Sequence, residues 1–338
     1  MNLLKLNIVD FDLAAVLGRR LAQVSKGALT TYGHLARSLG DVQASRWVGQ
    51  FMVNHEHGPK CACHRVVCAD GRLGKYITGD VGEKRCRLEL EGHRVRGERV
   101  PMFATCLTNL SGDAPLTRLS KWQQRLAEQR ELSCANSIRT VAGVDLSYQE
   151  DRAIGAYVEV DLDSGQVTYE RDVCRRIGFP YIPTYLAFRE LPVLMSLLDA
   201  VKRDRSPADV MIVDGSGIMH PRRGGIATLF GVAANIATIG VTKKRLVGPL
   251  LNKELRLMDP QLVFDDVTGE TLGYVMRASA TSSKPIYISP GNRMTADSAL
   301  ELVKRTLHGR RFPEPIYWAD RVSRRAVSLL KGAESFMP

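Results

Sequence analysis

The chain has 338 residues, of which 44% are hydrophobic and 25% are charged, and its net charge is +11. That length exceeds what one core usually organises, so we expect two domains. No apolar run approaches the roughly 18 residues of a membrane helix, which excludes a membrane-spanning protein. The positive charge favours a polyanionic partner, commonly nucleic acid, and a merely basic surface is the alternative.

The N-terminus and the cysteines indicate the compartment. The segment MNLLKLNIVDFDLAAV lacks the basic stretch, long apolar core and cleavage site of a secretion signal. Seven cysteines, an odd number, then favour reduced thiols over disulfides. We therefore expect a cytoplasmic protein, and a monomer.

The first 100 residues are predicted to be mainly helical. Apolar residues recur at helical spacing in Phe11–Val24, and another helix is predicted over 83–90. Between them, TYGHLARSLG and VQASRWVGQFMV meet at Gly40 and Asp41. Two short helices joined by a Gly-containing turn are the outline of a helix-turn-helix. We expect a helical, winged helix-turn-helix-like domain over residues 1–100.

The remainder of the chain has the pattern of an α/β domain. Pro and Gly interrupt any period near the predicted linker at 101–118, and the second domain is placed at 119–338. An antiparallel meander followed by helix–strand alternation predicts a mixed sheet with helices on both faces. The predicted elements are a helix at 122–130; strands at 137–146, 154–161 and 166–174; a helix at 183–201; a strand at 210–214; a helix at 226–234; strands at 237–241, 271–277 and 285–288; and helices at 295–307 and 321–330.

Three acidic residues end core elements of this second domain, namely Asp145, Glu190 and Asp214. Neighbouring carboxylates repel one another unless a divalent cation neutralises them. Mg²⁺ is commonly held by one or two carboxylates plus substrate phosphate, and it polarises a phosphoryl oxygen. The pattern therefore predicts a metal-dependent phosphodiester enzyme. A helix cap or a solvated turn is the alternative for any one of the three.

A cysteine followed by His64 and Arg65 marks the first domain, in the run KCACHRVVC. Positive charge and a hydrogen-bonded histidine favour the thiolate, which is the nucleophilic form. One alternative is buried, unreactive cysteines. Another is a zinc-stabilised DNA-binding protein, although three ligands in C-x-C-H stand close together for an ordinary zinc site. Its candidate ligands are Cys61, Cys63, His64, Cys68 and Cys86.

Four motifs over about residues 10–95 resemble the C-terminal domain of the O6-alkylguanine-DNA alkyltransferases. They are TYGHLA from Thr31, ASRWVG from Ala44, ACHRVVC from Ala62, and Glu91-Gly92. Ala62 stands where the family usually has proline. The resemblance implies that Cys63 irreversibly accepts the alkyl group from a guanine extruded from double-stranded DNA.

The same resemblance implies roles for four more side chains. His64 would relay a proton from the Cys63 thiol through water toward Glu91. Tyr32 would assist the departing guanine, and Arg46 would fill the gap left in the duplex. Relatives that lack the cysteine bind lesions without reacting, so a non-catalytic lesion-binding module is the alternative.

Five segments in the second domain resemble endonuclease V, the deoxyinosine-directed nuclease family. They are VAGVD at 141–145, PYIPTYLAFRE at 180–190, DGSGIMHPR at 214–222, GIA at 225–227 and IGVTKKRL at 239–246. The resemblance implies a ribonuclease H-like fold and a Mg²⁺-dependent nick 3′ to deoxyinosine. Some relatives act on inosine in RNA, and this sequence does not separate the two substrates.

Carried over residue by residue, the resemblance makes Asp145 and Asp214 direct ligands of Mg²⁺, or of Mn²⁺. Glu190 would hold a metal-bound water or an outer ligand, and Lys243 would stabilise the scissile phosphate. Asp320 stands where the family has histidine and would be a further ligand. A solvated charged turn is the alternative for Lys243.

Recognition of DNA is implied for two loops. A rigid wedge beside the lesion, stiffened by two prolines, would consist of Pro180, Tyr181, Ile182 and Pro183. Flipped hypoxanthine would enter a pocket lined by the backbone of Gly215 and Gly225, with His220 nearby, since glycine lets the main chain approach closely. The alternatives are a core aromatic at Tyr181 and a structural histidine at His220. Together the two resemblances imply a bifunctional DNA-repair protein.

Overall fold

The computed structural model describes residues 12–58, 60–133, 137–249 and 254–334. Phe11, at the predicted start of the first helix, and Cys134 lie outside these ranges. The chain divides into two compact units. The N-terminal unit comprises the described residues of Leu4–Lys121 together with Phe179–Tyr185, and the C-terminal unit comprises those of Trp122–Gly178 and Leu186–Pro338.

The N-terminal unit is mainly helical around one short pair of parallel strands. Its elements are α1 (Leu13–Leu21), β1 (Thr30–Thr31), α2 (Tyr32–Ser38), α3 (Ser45–Phe51), β2 (Val66–Val67) and α4 (Val81–Leu90). Thr31 caps α2 by accepting a hydrogen bond from the His34 amide at 3.0 Å. A small hydrophobic core of this unit contains Leu29, Leu73 and Leu88, which are all nearly inaccessible to solvent.

The second helix of the predicted helix-turn-helix is shorter than expected. A 3₁₀ turn at Val42–Ala44, capped by Asp41, precedes α3, which ends at Phe51. Helices α2 and α3 contact each other, as that motif requires.

The C-terminal unit is built on one mixed sheet of eight strands. The strands are β3 (Thr140–Gln149), β4 (Arg152–Asp161), β5 (Val167–Arg176), β6 (Val210–Asp214), β7 (Ala237–Thr242), β8 (Gln261–Phe264), β9 (Thr271–Met276) and β10 (Ile286–Asn292). Their order is β5-β4-β3-β6-β7-β10-β9-β8, with β3, β6 and β7 parallel and the other pairs antiparallel. The prediction of a mixed sheet is confirmed.

Helices cover both faces of this sheet, because alternate strand residues bury apolar side chains on opposite sides. The helices are α5 (Pro115–Ala127), in which the division between the units falls, α6 (Leu186–Asp204), α7 (Ile226–Ala234), α8 (Ala296–Arg305) and α9 (Glu314–Glu334). Ala142 and Val144 pack with α6 and α7 in one cluster, whereas Val141 packs with α8 in the other. No helix among the described residues has both the length and the apolar character needed to cross a membrane.

Three predicted helix starts were wrong. Helix α5 begins at Pro115 rather than at 122. Helix α6 begins at Leu186 rather than at 183, because Thr184 has a φ of 66°, which an α-helix does not accommodate. Helix α9 begins at Glu314 rather than at 321. Strand β8 was not predicted at all.

Candidate active sites

The register of two parallel strands brings two of the predicted acids together. Val144 of β3 pairs with Val213 of β6, so Asp145 and Asp214 follow at neighbouring positions. Adjacent strands lie about 4.8 Å apart. Asp145 is 6% exposed, and Asp214 is partly buried. Two like charges therefore stand side by side with little water to screen them.

Glu190 on α6 and Asp320 on α9 face the same pair. Burial, and then the charges of Asp214 and Asp320, raise the pKa of Asp145 to about 7. Burial, with the charges of Asp214 and Asp145, raises the pKa of Glu190 to about 8, although Tyr148 donates a hydrogen bond that opposes the shift. Asp214 and Asp320 also line one cavity, so we group the four carboxylates as the acidic cluster.

Each carboxylate of this acidic cluster has a partner. Lys243 Nζ lies 2.9 Å from Asp214 Oδ2, and Arg324 Nε lies 2.9 Å from Asp320 Oδ1. The Tyr148 hydroxyl donates to Glu190 Oε1, and Ser323 Oγ donates to Asp145 Oδ2 at 3.2 Å. Half-burial lowers the pKa of Lys243, but the nearby carboxylates, Asp214 first, more than offset this and raise it.

Sequence reasoning missed Tyr148 and Ser323. Ser323 follows Asp320 by three residues on one helix, a spacing that puts both on the same face. That spacing was an available signal. It indicates no role for Ser323, however, until Asp145 is known to lie opposite it. Tyr148 follows Asp145 on β3 and offers no comparable signal.

An open cavity of about 330 Å³ adjoins the acidic cluster. Asp214, Lys243 and Asp320 line it together with Arg310 and Arg311. Guanidinium groups in the lining of such a cavity suit the phosphates that flank a scissile bond.

The donor set of Asp145 and Asp214 fits a hard divalent cation, since it offers buried, like-charged oxygens. Among the described residues, these carboxylates do not form a group of three or more ligands close enough together to hold a metal ion by themselves. A cation here would therefore take one or two carboxylates, and water and phosphate would complete its coordination.

The loop predicted to hold a flipped base packs tightly against the start of α7. A Cβ on Gly225, the N-cap of α7, would collide with the backbone of Ser216. Gly215 is similarly crowded by Ile226. His220 is 3% exposed, and its Nδ1 accepts the Arg222 amide at 3.2 Å.

The predicted wedge belongs to the N-terminal unit. Tyr181 is 56% exposed, whereas Ile182 is fully buried. Pro180 and Pro183 are partly buried. Of the four residues, Tyr181 alone presents a large, solvent-exposed side chain.

In the N-terminal unit, a hydrogen-bonded chain starts at His64. Its Nε2 lies 2.9 Å from Glu91 Oε1, and Arg65 Nε and Nη2 reach the same carboxylate at 2.9 and 2.6 Å. Burial raises the pKa of Glu91, but the hydrogen bonds from Arg65 and His64 outweigh it and lower that pKa to about 2. His64 Nδ1 is buried without a hydrogen-bond partner.

The predicted acceptor sits beside a second thiol. Cys63, 3% exposed, has His57 Nδ1 at 3.4 Å from its Sγ. A hydrogen bond with Cys63, followed by one with His55, lowers the pKa of Cys61 to about 4. The same hydrogen bond between the two thiol groups, followed by burial, raises the pKa of Cys63. The two thiols therefore titrate as a pair that shares one negative charge.

The zinc alternative named the wrong further ligands for Cys61 and Cys63. The structure gathers Cys61 and Cys63 with His55 and His57. His64 instead bonds Glu91, and Cys86 is exposed on α4. No disulfide joins the six cysteines that the structure describes.

Tyr32 and Arg46 line a cavity of about 540 Å³, together with Cys68 and Lys75. The Tyr32 hydroxyl donates to the Lys75 carbonyl at 3.3 Å. Burial raises the pKa of Tyr32 to about 12, so the phenol stays protonated and can donate. Arg46, on α3, is exposed.

A buried lysine at this site was not foreseen from the sequence. Lys84 on α4 is 1% exposed and donates to the carbonyls of Val66 at 2.7 Å and Leu73 at 2.5 Å. Burial lowers its pKa to about 8. A single lysine in a charged helix gives no pattern that distinguishes it from a solvated one.

Known proteins resemble both units. The family model for endonuclease V matches residues 120–321, and that for the DNA-binding domain of 6-O-methylguanine DNA methyltransferase matches 15–93. A bifunctional methyltransferase/endonuclease of Picrophilus torridus is 32% identical over 305 residues, which cover 90% of this chain and 93% of that protein. The chain belongs to the bifunctional methyltransferase/endonuclease family. Both resemblances stated from sequence are thereby confirmed.

The nuclease part has further relatives. Endonuclease V of Archaeoglobus fulgidus is 35% identical over 212 residues, or 62% of this chain and 90% of that protein. The catalytic domain of human endonuclease V matches the structure with a TM-score of 0.61 at 28% identity, covering 66% of this chain and 99% of that domain. Membership of this family makes the chain a DNA-repair fusion of a methyltransferase part and an endonuclease part.

Proposed function

We propose that the chain repairs two kinds of base damage in double-stranded DNA. Its C-terminal unit nicks the strand 3′ to deoxyinosine with a divalent cation, and its N-terminal unit transfers the alkyl group of O6-alkylguanine to Cys63. The adjacency of Asp145 and Asp214 beside Lys243 is the observation that supports the nuclease most strongly.

Mg²⁺ would be held by Asp145 and Asp214, where it stabilises the charge that develops on the phosphoryl oxygens. Lys243 neutralises Asp214 and is mobile enough, being half-exposed, to reach a phosphate oxygen instead. Ser323 orients the Asp145 carboxylate. The two arginines that line the cavity would bind flanking phosphates, so that the strand is positioned before reaction.

In the N-terminal unit, the arrangement around His64 supports proton transfer. Its Nε2–H donates to the ionised Glu91, which leaves Nδ1 with a free lone pair able to accept the thiol proton of Cys63 through water. The S–C bond then forms as the bond from carbon to guanine O6 breaks. The protonated Tyr32 is positioned to donate a hydrogen bond to the departing guanine.

The nuclease assignment is tested with Asp214→Asn and the matched surface variant Asp266→Asn. Each is incubated with Mg²⁺ and a duplex containing one deoxyinosine, and nicking is followed in single turnover. We expect Asp214→Asn to slow nicking on the order of 10³-fold, because it removes several kcal/mol of charge stabilisation, while DNA binding persists. Equal rates in the two variants would contradict the assignment.

A second substrate tests whether the nuclease acts on DNA or on RNA. The same duplex is prepared with inosine in an RNA strand, and wild-type rates on the two substrates are compared. Faster cleavage of the RNA would transfer the proposed function to RNA.

Alkyl transfer is tested by mass spectrometry after incubation with an O6-methylguanine duplex. One added methyl group on the peptide that contains Cys63 is expected, and none in Cys63→Ser. Binding of the lesion by the wild type without any added methyl group would instead identify a lesion-binding module.

A further inference from the structure

Four metal-ligating side chains meet in one loop of the N-terminal unit. One ligand atom from each of His55, His57, Cys61 and Cys63 lies within 4.8 Å of the other three. They follow the end of α3 and precede β2, in the spacing H-x-H-x₃-C-x-C. We propose that these four residues form a zinc-type metal site that takes the acceptor thiol as one of its ligands.

The histidines are already oriented for this role. His55 Nδ1 lies 3.1 Å from the Phe51 carbonyl oxygen, which can only accept, so Nδ1 carries the proton. The other ring nitrogen, Nε2, points at Cys61 Sγ, 3.1 Å away, and gives up any proton that it shares with that sulfur when a metal ion binds. A ligating histidine that donates its other N–H to a backbone carbonyl is the usual outer support of a metal site. Stacking of the His55 ring on Phe51, with centroids 5.3 Å apart, fixes the ring further.

His57 supplies the second nitrogen. Its Nδ1 lies 3.4 Å from Cys63 Sγ, and its ring packs edge-on against Tyr76 with centroids 6.0 Å apart. His57 is exposed, so an ion can enter from that side even though Cys63 is buried.

Two of the distances between ligand atoms are close to those around a tetrahedral ion. Bonds of about 2.3 Å to sulfur and about 2.0–2.1 Å to nitrogen put neighbouring ligand atoms about 3.4–3.8 Å apart. The two nitrogen–sulfur contacts of 3.1 and 3.4 Å are near this range. Two thiolates and two neutral imidazoles form a donor set that suits Zn²⁺ rather than a hard cation.

The site also links metal affinity to alkylation, a consequence that rests on the proposed acceptor role of Cys63. As a ligand, Cys63 is a thiolate. When its sulfur forms a bond to the alkyl carbon and the carbon–O6 bond breaks, the electron pair of that bond stays on the guanine, which takes a proton from water, and the ligand becomes a neutral thioether. A thioether is a weaker ligand for Zn²⁺ than a thiolate, so alkylation lowers the affinity for the metal.

Co²⁺ is the probe that tests the site in the full-length protein. The protein is stripped with a chelator and titrated with Co²⁺, and thiolate-to-cobalt charge-transfer absorption is recorded. The nuclease carboxylates can bind Co²⁺, but oxygen ligands give no such band. We expect the band to saturate at one equivalent and to disappear when Zn²⁺ is added.

Variants separate a four-ligand site from stray thiol binding. His57→Gln and Cys61→Ser should weaken Co²⁺ binding roughly tenfold or more. Cys86→Ser, which removes an exposed thiol on α4, should bind as the wild type does. Because His57 is exposed, its replacement leaves the core intact should Cys61→Ser fail to fold.

Two results would overturn the proposal. One is the absence of a charge-transfer band in the wild type, and the other is a band of unchanged affinity in His57→Gln. Methyl transfer to Cys63 is scored separately by mass spectrometry. A failed cobalt titration therefore leaves the alkyltransferase assignment standing, and failed methylation leaves the metal site standing.

Discussion

The two candidate sites are assembled in opposite ways. The acidic cluster collects side chains from β3, α6, β6 and α9, which are separated by up to 175 residues and meet only through the packing of the sheet. The thiol site, meaning Cys61 and Cys63 with the histidines and arginine at 55–65, takes these groups from one short segment, and Glu91 is the distant residue that holds His64 and Arg65. The first site therefore depends on the core of its unit, and the second on a loop tied to Glu91.

Replacing a core glycine should break the first site and spare the second. A Cβ on Gly143 of β3 would collide with the backbone of Pro315 and Ile316 at the start of α9. Gly143→Ala should push α9 outward and destabilise the C-terminal unit by about 1–3 kcal/mol or more. Nicking of deoxyinosine DNA should be lost, because Asp320 and Ser323 move with α9.

The control for that experiment is Gly178→Ala, where an added Cβ meets nothing within 4 Å. Thermal unfolding and methyl transfer to Cys63 are measured alongside nicking. Unchanged nicking in Gly143→Ala would mean that the acidic cluster does not depend on the seating of α9.

Removing the one distant partner should weaken the second site by less. Glu91→Gln keeps the size of the side chain but removes the charge that holds His64 and Arg65. We expect methyl transfer to slow roughly 10²-fold, with nicking unchanged. Stopped-time mass spectrometry of Cys63 gives the rate, and an unaltered rate would exclude Glu91 from the proton path.

The same variant has a signature in the pH dependence of stability. The pKa of Glu91 falls from its ordinary 4.5 to about 2 on folding, so the unfolded chain binds the proton first as the pH drops. Its stabilising contribution is complete above about pH 4.5 and is lost as the pH falls toward about 2. The difference in Tm between wild type and Glu91→Gln should therefore shrink over that interval.

The smallest effect is expected from a partner of the acidic cluster. Ser323→Ala removes the donor to Asp145 Oδ2, and with it the hydrogen bonds of Ser323 Oγ with Ser147 Oγ on β3 and with the Asp320 carbonyl. A hydrogen bond to a charged group contributes about 1.5–3 kcal/mol, so single-turnover nicking should fall roughly tenfold or more. Ser328→Ala, on the same helix but bonded within it to Arg324, is the matched control. Equal rates in both variants would leave Ser323 without a role in orienting Asp145.

The difference in how the two sites are assembled also explains which residues could be predicted from the sequence. Strands β3 and β6 are apolar runs that end in an acid, so Asp145 and Asp214 were recognisable, as were the mixed sheet and the helices on both of its faces. Ser323 and Tyr148 were not, because their importance depends on which element packs opposite. The positive φ of Thr184 moves the start of α6 to a later residue, which the spacing of apolar residues cannot predict.

In the thiol site the sequence indicated the reactive cysteines but not the histidines that lie beside them. Cys61 and Cys63 stood out in the C-x-C-H run, whereas His55 and His57 lie upstream of it and were not predicted as ligands. The segment that follows α3 brings these histidines to the two sulfurs. The end of α3 and Gly58, a residue type common in turns, were the available signs in the sequence.

The ammonium of Lys84 is held among backbone carbonyls of β2 and of the segment that follows it. With a pKa of about 8, this amine would react readily with acylating reagents if they could reach it. At 1% exposure they cannot, so its modification must wait until α4 separates from those carbonyls. Labelling of the Lys84 amine therefore reports transient opening of the N-terminal unit. The labelling rate measures how often α4 separates from these carbonyls.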